Sequence, residues 1–495
     1  MSENQMNTPI LQIIASSIKD GVLPKGFSLP KEKAANRLTF ADGAMDGIKM
    51  YHMQLQPVDI EPVTRALVEI CNGKEEEATA ELQEFVKKHG VIEFIDALHK
   101  WIFDHHDEIS AKEMSSFAIR TLMLSDDAEM IKLGLAILEL LSTDKQEELK
   151  KVIRMLALCD EFTIYCLFIM HSWTNPNYEI FDLMQKVHGW GKIHCVAHVE
   201  ADNTMIRKWL LDHGCENSVA PAYSALTVAK KCDVIAQLKR TELSQADWDG
   251  LMLMLQGLME EGPVAGISSL EEREELFTGI LDHASGFEMN MALIHNLISM
   301  AEYIDGEKVK MPEIRKRVID LLNESEVYVK VSEAMEEGKG FEEALKLGIP
   351  YEEKAMNWLK KDPIANCMVV RLLMASRNVS DEVVALYTEL LPLEEMASGP
   401  SDVLGLGKEY QNYHALAAVI QSLRMYPGKG VKLLKTALLC PVVSCRSHAL
   451  DTLEGWVRLN RTSIKGLAPE LVDVLKQAEI LEVKEELKKK IRLLK

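Results

Sequence analysis

The chain has 495 residues, of which 47% are hydrophobic and 27% are charged, and this composition is typical of a folded protein rather than a disordered one. Lysine and arginine number 56 against 76 for aspartate and glutamate, so the formal net charge is -20. A nucleic-acid reader is therefore disfavoured, because a phosphate backbone would be repelled unless a local basic face existed. The length suits several domains or one extended array of repeats.

Cysteine usage and the N-terminal segment bear on the cellular compartment. Nine cysteines are scattered without framework spacing, which favours reduced thiols in the cytoplasm over secreted disulfides. The first residues, MSENQMNTPILQIIASSIKDG, lack a basic region and a small-residue cleavage site, so no export signal is predicted. The most apolar run, residues 162–170 (FTIYCLFIM), is about half of the ~20 residues that span a bilayer. We therefore expect a buried helix there, a cytoplasmic protein and no membrane partner.

Residues 1–57 are the least regular part of the chain, because glycines and prolines at positions 21, 24, 26, 30, 43, 47 and 57 interrupt any long periodic segment. We interpret this part as an irregular N-terminal cap. From residue 58 onward, apolar residues recur at three- and four-residue spacing in one segment after another. In residues 129–141 the apolar stripe is wide enough for burial between two neighbouring helices. Residues 58–393 are therefore predicted to form an α-solenoid.

Helix-boundary signals fit this interpretation, and strand signals are nearly absent. Ser244 stands three residues before Asp247, which is a capping-box pattern. The lack of sustained apolar–polar alternation between turn dipeptides excludes an α/β enzyme core. Residues 394–407 (EEMASGPSDVLGLG) are predicted to be a loop insertion where a ligand could be contacted. Residues 408–495 are predicted to be further solenoid units that end in an amphipathic capping helix over residues 479–495.

Two segments resemble the helices of HEAT-type repeats. Residues 441–456 have a proline in the first turn, then Arg446 and an apolar series that ends at Trp456. Residues 202–214 have an Asp or Asn cap, Arg207, Trp209 and a glycine just past the end. The resemblance implies serially stacked antiparallel helix pairs of the HEAT or armadillo kind. We expect Trp190, Trp209, Arg207, Arg446 and Trp456 to be packing anchors.

A narrower resemblance covers mainly residues 187–232. The segments GWGKIH (189–194) and MIRKWLLDHGCEN (205–217) are similar to a group of uncharacterised bacterial HEAT-like proteins, some of which have been named limonene hydroxylase. A haem-thiolate monooxygenase places its ligand cysteine in a glycine-rich loop, and no such loop contains a cysteine here: the cysteines considered are Cys71, Cys159, Cys367 and Cys440. We therefore do not carry the enzyme name over to this chain.

The stretch 171–232 is rich in histidine and cysteine and is the first place to consider metal chemistry. His194 and His198 are four residues apart on a predicted helix, so their rings could share one face and chelate a metal, with His213 or Cys215 completing the site. Cys195 follows His194 directly, so the HExxH motif is absent. The preferred interpretation is packing at a solenoid interface, and no catalytic residue, metal ligand or cofactor is assigned.

The sequence thus predicts an all-α, HEAT/armadillo-like solenoid that binds a protein partner through its concave face. Recognition is favoured over reaction because the motif fragments are incomplete: residues 105–108 (HHDE) and the glycine pairs at 405/407 and 428/430 lack the residues that their motifs require. The alternative function is a metal-dependent or small-molecule enzyme with a site in the groove near His194, His198 and His213.

Overall fold

A computed structural model describes residues 8–31, 38–306, 310–376 and 378–494 of the chain. These residues form thirty α-helices and no β-strand, and the two isolated β-bridges pair Lys19 with Val22 and Val403 with Val442. The all-α prediction is therefore confirmed. None of these helices is both long and apolar enough to cross a membrane.

The helices are short, and they follow one another along most of the chain. The first fifteen are α1 Ile10–Ser17, α2 Ala44–His52, α3 Glu61–Cys71, α4 Glu75–Val86, α5 Ile95–Asp104, α6 Ala111–Leu124, α7 Ala128–Glu139, α8 Glu147–Ala157, α9 Thr163–Met170, α10 Pro176–Met184, α11 Trp190–His198, α12 Thr204–His213, α13 Ala222–Lys231, α14 Val234–Leu238 and α15 Gln245–Met259. The others are α16 Arg273–His283, α17 Met291–Gly306, α18 Pro312–Leu322, α19 Ser325–Glu336, α20 Phe341–Leu347, α21 Glu352–Lys361, α22 Val370–Ala375, α23 Ser380–Leu390, α24 Leu393–Met396, α25 Gln411–Ser422, α26 Val431–Leu439, α27 Val443–Asn460, α28 Ile464–Leu467, α29 Leu471–Leu481 and α30 Glu485–Leu494.

The described residues divide into two compact units. The first contains residues 8–31, Thr39–Glu288 and Ser299–Val318, and the second contains Leu38, Met289–Ile298 and residues 319–494. In the first unit, helices close in sequence pack together, as α3 does with α4 and α6 with α7. Alternate helices also touch, so that α7, α9, α11, α13 and α15 form a row in which each contacts the next.

Side-chain caps and apolar runs account for several of these helices. Asp127 Oδ1 accepts a backbone N–H of the first turn of α7 at 2.9 Å, and Asn203 Oδ1 does the same for α12 at 3.0 Å. Ser244 and Asp247 form the predicted capping box of α15. The apolar run at 162–170 forms α9, in which every residue except Phe168 is buried, so the expected buried helix is confirmed.

Part of the predicted N-terminal cap is the regular helix α2, which packs against α11. A Cβ placed on Gly47 would lie 2.2 Å from the ring of Trp190, so only glycine allows α2 to approach this closely. The Tyr51 ring, on the same helix, has its centroid 6.0 Å from that of Trp190. Trp190 is 4% exposed, and α2 therefore covers the start of α11.

The predicted insertion at 394–407 begins within the short helix α24 and then runs beside the junction of α26 and α27. The N–H of Gly399 donates to the carbonyl of Leu439 at 2.8 Å, and the N–H of Val443 donates to the carbonyl of Val403 at 2.9 Å. These backbone hydrogen bonds hold the segment against the start of α27.

The prediction of one helix over 479–495 is wrong, because the chain leaves the helical path between Leu481 and Glu485. Glu482, which lies in this break, is 6% exposed and accepts hydrogen bonds from Arg446 Nε at 2.7 Å and Nη2 at 3.0 Å. The same carboxylate accepts the backbone N–H groups of Val483 and Lys484 at 3.0 Å, between the two helices. A buried ion pair and these two hydrogen bonds together fix the break.

One buried lysine connects three segments of the first unit. Lys132 in α7 is 1% exposed, and its Nζ lies 2.8 Å from Asp46, 2.7 Å from Glu129 and 2.6 Å from Glu161. Asp46 belongs to α2 and Glu161 precedes α9, so the ammonium group joins helices that are far apart in the sequence. We call these four residues the Lys132 centre.

Further hydrogen bonds fix the carboxylates of the Lys132 centre. Glu161 accepts the backbone N–H of Gly43 at 2.8 Å, and Asp46 accepts the hydroxyl of Tyr165 at 3.1 Å. Burial by itself would lower the pKa of Lys132, but the charges of the three carboxylates outweigh it and raise that pKa above its ordinary value. The lysine is therefore a permanent cation at neutral pH.

Replacing the central lysine should destabilise the first unit strongly. Lys132→Met removes the ammonium group and leaves the buried Asp46 and the partly buried Glu129 and Glu161 without their cation, so we expect the free energy of unfolding to fall by about 3–5 kcal/mol. Urea titration followed by circular dichroism measures this loss. The matched control is Lys87→Met, because Lys87 is 61% exposed and pairs with Glu84 at 2.7 Å on the surface. The control should leave the stability nearly unchanged, and equal losses in both variants would contradict the role of the centre.

Candidate functional site

The site that we single out is a cleft around the connection between α10 and α11, which we call the α10–α11 cleft. Its narrower part has a volume of about 360 Å³ and its wider part about 550 Å³, and the two parts share Val187, His188 and Ser218. Apolar side chains and carboxyl groups line the narrower part: Leu23, Phe27, Asp42, Asp160 and Trp190. Basic and aromatic side chains dominate the wider part: Lys25, Lys192, Trp209 and His213, beside Glu216.

The start of α11 forms the wall between the two parts. The carboxyl group of Asp160 lies beside the backbone N–H groups of Gly189, Trp190 and Gly191, which favour its charged form. A Cβ on Gly189 would lie 2.1 Å from Asp160 Oδ2, and one on Gly191 would lie 2.5 Å from Asp160 Oδ1. The glycines on either side of Trp190 therefore allow this carboxyl group to reach the open N–H groups of the helix.

Asp160 is close to its titration point at neutral pH. Burial raises the pKa of Asp160 to about 7, and the nearby charge of Asp42 adds to the rise, while the three N–H groups of α11 oppose it. A carboxyl group with this pKa can be neutral or charged under physiological conditions. The narrower part of the cleft therefore contains a group that can either donate or accept a hydrogen bond.

Lys192, in the first turn of α11, is a buried basic group, in contrast to the acidic Asp160. It is 6% exposed, and its Nζ lies 4.9 Å from the centroid of the Trp209 ring, a cation–π contact. Within the part of the chain that the structure describes, this Nζ has no carboxylate within 4.0 Å and no hydrogen bond. Burial lowers the pKa of Lys192, and the charge of Glu216 opposes the shift only in part.

His194, His198 and His213, which were considered together as metal ligands, lie in three different surroundings. His194 is 2% exposed, its Nε2 has no hydrogen-bond partner among the described residues, and burial lowers its pKa to about 3. His198 is joined to His171 by a 2.8 Å hydrogen bond between ring nitrogens, and burial together with the His171 charge lowers its pKa to about 4. His213 lies in the wider part of the cleft, where its Nδ1 is 3.1 Å from Glu216. Both His194 and His198 are therefore neutral at pH 7.

The ligand atoms of His194, His198, His213 and Cys215 do not converge on one point. Among the described residues, the only three His, Cys, Asp or Glu side chains with ligand atoms within 4.8 Å of one another are Asp46, Glu129 and Glu161. The Lys132 ammonium group lies among those oxygens and makes an ion pair with each of them. Cys215 is buried, and burial raises its pKa above the ordinary thiol value.

The five expected packing anchors lie in different surroundings. Trp190 is buried beneath α2, whereas Trp209 packs edge-on against Phe181, with ring centroids 5.9 Å apart. Arg207 Nη2 donates to the carbonyl of Ala201 at 2.9 Å, while its buried Nε has no partner among the described residues.

The remaining two anchors belong to the second unit and are fully buried. Arg446 is 1% exposed, and besides Glu482 it donates to the carbonyls of Cys440, Pro441 and Ser401 at 2.8–2.9 Å. Trp456 is 0% exposed, and its Nε1 donates to the carbonyl of Leu423 at 2.8 Å.

Sequence reasoning missed Asp160, Lys192 and Lys132. A weak signal existed for Lys132, since it is a charged residue inside the apolar stripe of residues 129–141. For Lys192, the signal was its place in the first turn after Gly-Trp-Gly, where a buried cation meets the positive end of a helix dipole. Asp160 carried no local signal, because its partners are nearly thirty residues further along the chain.

The raised pKa of Asp160 makes a prediction about the pH dependence of stability. The ordinary aspartate pKa is 3.8 and the folded value is about 7, so between these values the folded state binds a proton that the unfolded state has lost. The contribution of Asp160 to the free energy of unfolding should therefore fall as pH rises from about 4 to about 7, by up to about 4 kcal/mol.

Urea titrations of the wild type and Asp160→Asn at several pH values measure this contribution. We expect the wild-type stability, taken relative to the variant, to decrease through this interval and to become constant once the pH is well above the folded pKa. A stability difference that does not change with pH would contradict the shifted pKa.

No family model, no curated protein and no solved structure matches the chain. The resemblance to HEAT-like proteins therefore stays a prediction. The functional assignment depends on the geometry of the chain itself.

Proposed function

We propose that the protein is a helical-repeat scaffold that binds a partner protein. The row of helices α7, α9, α11, α13 and α15 supports this proposal, because contacts between successive alternate helices are the arrangement expected of stacked helix pairs. Such arrays offer long surfaces for recognition, and each unit is stabilised by its neighbours.

The observation that carries the proposal is an open apolar groove between α5, α6 and α7. Its volume is about 280 Å³, and apart from His106 its lining is apolar: Ile102, Phe103, Ile109, Ala111, Met114, Ile137, Leu140 and Leu141. Phe103 is 78% exposed and Leu140 is 42% exposed. A contiguous apolar surface of this kind is typical of an interaction site rather than of a single exposed side chain.

The charges around the groove indicate the chemistry of the partner. Asp104, the last residue of α5, and Asp107 and Glu108, in the loop between α5 and α6 that borders the groove, are exposed. The whole chain carries a net charge of -20. We call these acidic side chains, on one side of the groove, the acidic rim; beside an apolar floor they complement an amphipathic helix with an apolar face and basic flanks. We assign the groove to such a helix of a partner protein, with Phe103 as the central contact.

Two synthetic helical peptides test this assignment. Both carry the same Leu, Ile and Phe face, and the flanking positions are lysine in one and glutamate in the other. We expect the lysine peptide to bind the full chain and the glutamate peptide to bind much more weakly, because the acidic rim attracts one and repels the other. Fluorescence anisotropy measures both affinities.

Phe103→Asp should weaken binding of the lysine peptide by at least about ten-fold, or about 1.4 kcal/mol. The matched control is Tyr178→Asp, because Tyr178 is 67% exposed on α10 and lies outside the groove lining. The control should bind as the wild type does. Equal weakening by both substitutions, or equal affinity for the two peptides, would contradict the proposal.

A further inference from the structure

We propose that the wider part of the α10–α11 cleft binds the phosphate group of a small phosphorylated molecule, through Lys25, His188 and Lys192. This inference is independent of the apolar groove and of the partner protein assigned to it. It assigns the chain a second, small-molecule site.

The first argument is the position of Lys192. The Lys192 ammonium group, on a residue that is 6% exposed, has an aromatic face beside it and has lost much of its hydration without gaining a carboxylate within 4.0 Å. A methionine of similar length would fill the same space at lower cost in stability. Because Lys192 lines an open cleft, an anion from solution can reach the group and supply the missing partner.

The second argument is the convergence of three basic groups. Lys25 and His188 line the same part of the cleft as Lys192. Burial lowers the pKa of His188, and the charges of Lys192 and then Lys25 lower it further, in agreement with the lining that the three side chains share. Among the residues that the structure describes, none of these three side chains has a carboxylate within 4.0 Å.

The third argument concerns the acidic group in the same part of the cleft. Glu216 lies there, but its Oε2 is 3.1 Å from His213 Nδ1 and is directed to that ring. Asp160 lies beside the N–H groups at the start of α11 and lines the narrower part of the cleft instead. The basic groups therefore remain available for a ligand.

The chemistry of the two parts defines the class of ligand. A phosphate monoester has three strong acceptor oxygens and nearly two negative charges at neutral pH, which suits three donors better than a carboxylate does. The adjoining narrower part, with Phe27, Trp190 and Asp160, can receive an organic group that carries apolar surface and a hydrogen-bonding atom. Binding should strengthen at low salt, since the Lys25 ammonium group is an exposed cation.

The experiment uses the full chain and three probes: inorganic phosphate, phenyl phosphate and acetate at equal ionic strength. Calorimetry measures binding, and thermal unfolding measures stabilisation. We expect phosphate to bind, phenyl phosphate to bind more tightly because its ring reaches the narrower part, and acetate to have no measurable effect. Absence of phosphate binding, or equal stabilisation by acetate, would overturn the proposal.

Variants separate a binding lysine from a structural one. Lys192→Met should reduce phosphate affinity by at least about ten-fold and at the same time raise the melting temperature without ligand, because an unpaired buried charge is removed. Lys25→Met, at an exposed position, should weaken phosphate binding without changing the fold. Lys151→Met is the matched control: Lys151 is 60% exposed and pairs with Glu148 on α8. Unchanged phosphate affinity in both Lys192→Met and Lys25→Met would overturn the proposal.

Discussion

The α10–α11 cleft depends on the ion pairs of the Lys132 ammonium group. Removing a lysine from water costs several kcal/mol, and here ion pairs with Asp46, Glu129 and Glu161 offset that cost. Because Glu161 and Asp46 also accept an N–H or O–H from other segments, the ammonium group and its partners fit only one arrangement of α2, α7 and α9. A group of carboxylates that could have held a metal ion is thus an internal connection between helices.

That connection determines the environment of α11. With Asp46 held, α2 lies against Trp190 at the close approach that Gly47 permits. The indole is then buried at the first residue of α11, where the backbone N–H groups lie beside Asp160. Lys192, two residues further, faces the wider part of the cleft. Although the chain has a net charge of -20, lysine side chains therefore lie together in the wider part of the cleft. The loop between α5 and α6 is acidic, like most of the chain.

Helical periodicity and capping residues depend only on short stretches of sequence, and they correctly predicted features that short stretches determine. The Ser244–Asp247 capping box, the buried helix α9 and the absence of strands among the described residues all follow from short stretches of sequence. The break at Glu482 could not be predicted, because its cause is Arg446, 36 residues earlier. The sequence is dense in histidine between residues 171 and 213, but these rings do not meet. His194 stacks on Tyr51, His198 bonds to His171, and His213 lies beside Glu216, because helix packing sets the distances between the rings. Asp160 and Lys192 became candidates only when burial and partners were known.

Hydrogen exchange at the start of α11 tests the central claim most directly. If the Lys132 centre holds α2 against Trp190 and so fixes the cleft, Asp46→Ala should speed exchange of the Trp190 and Gly191 N–H groups, which lie at the start of α11 beside Asp160. We predict faster exchange at both N–H groups together with faster exchange throughout α2, measured by mass spectrometry on the full chain. Faster exchange confined to α2, with the two N–H groups of α11 protected as in the wild type, would contradict the account.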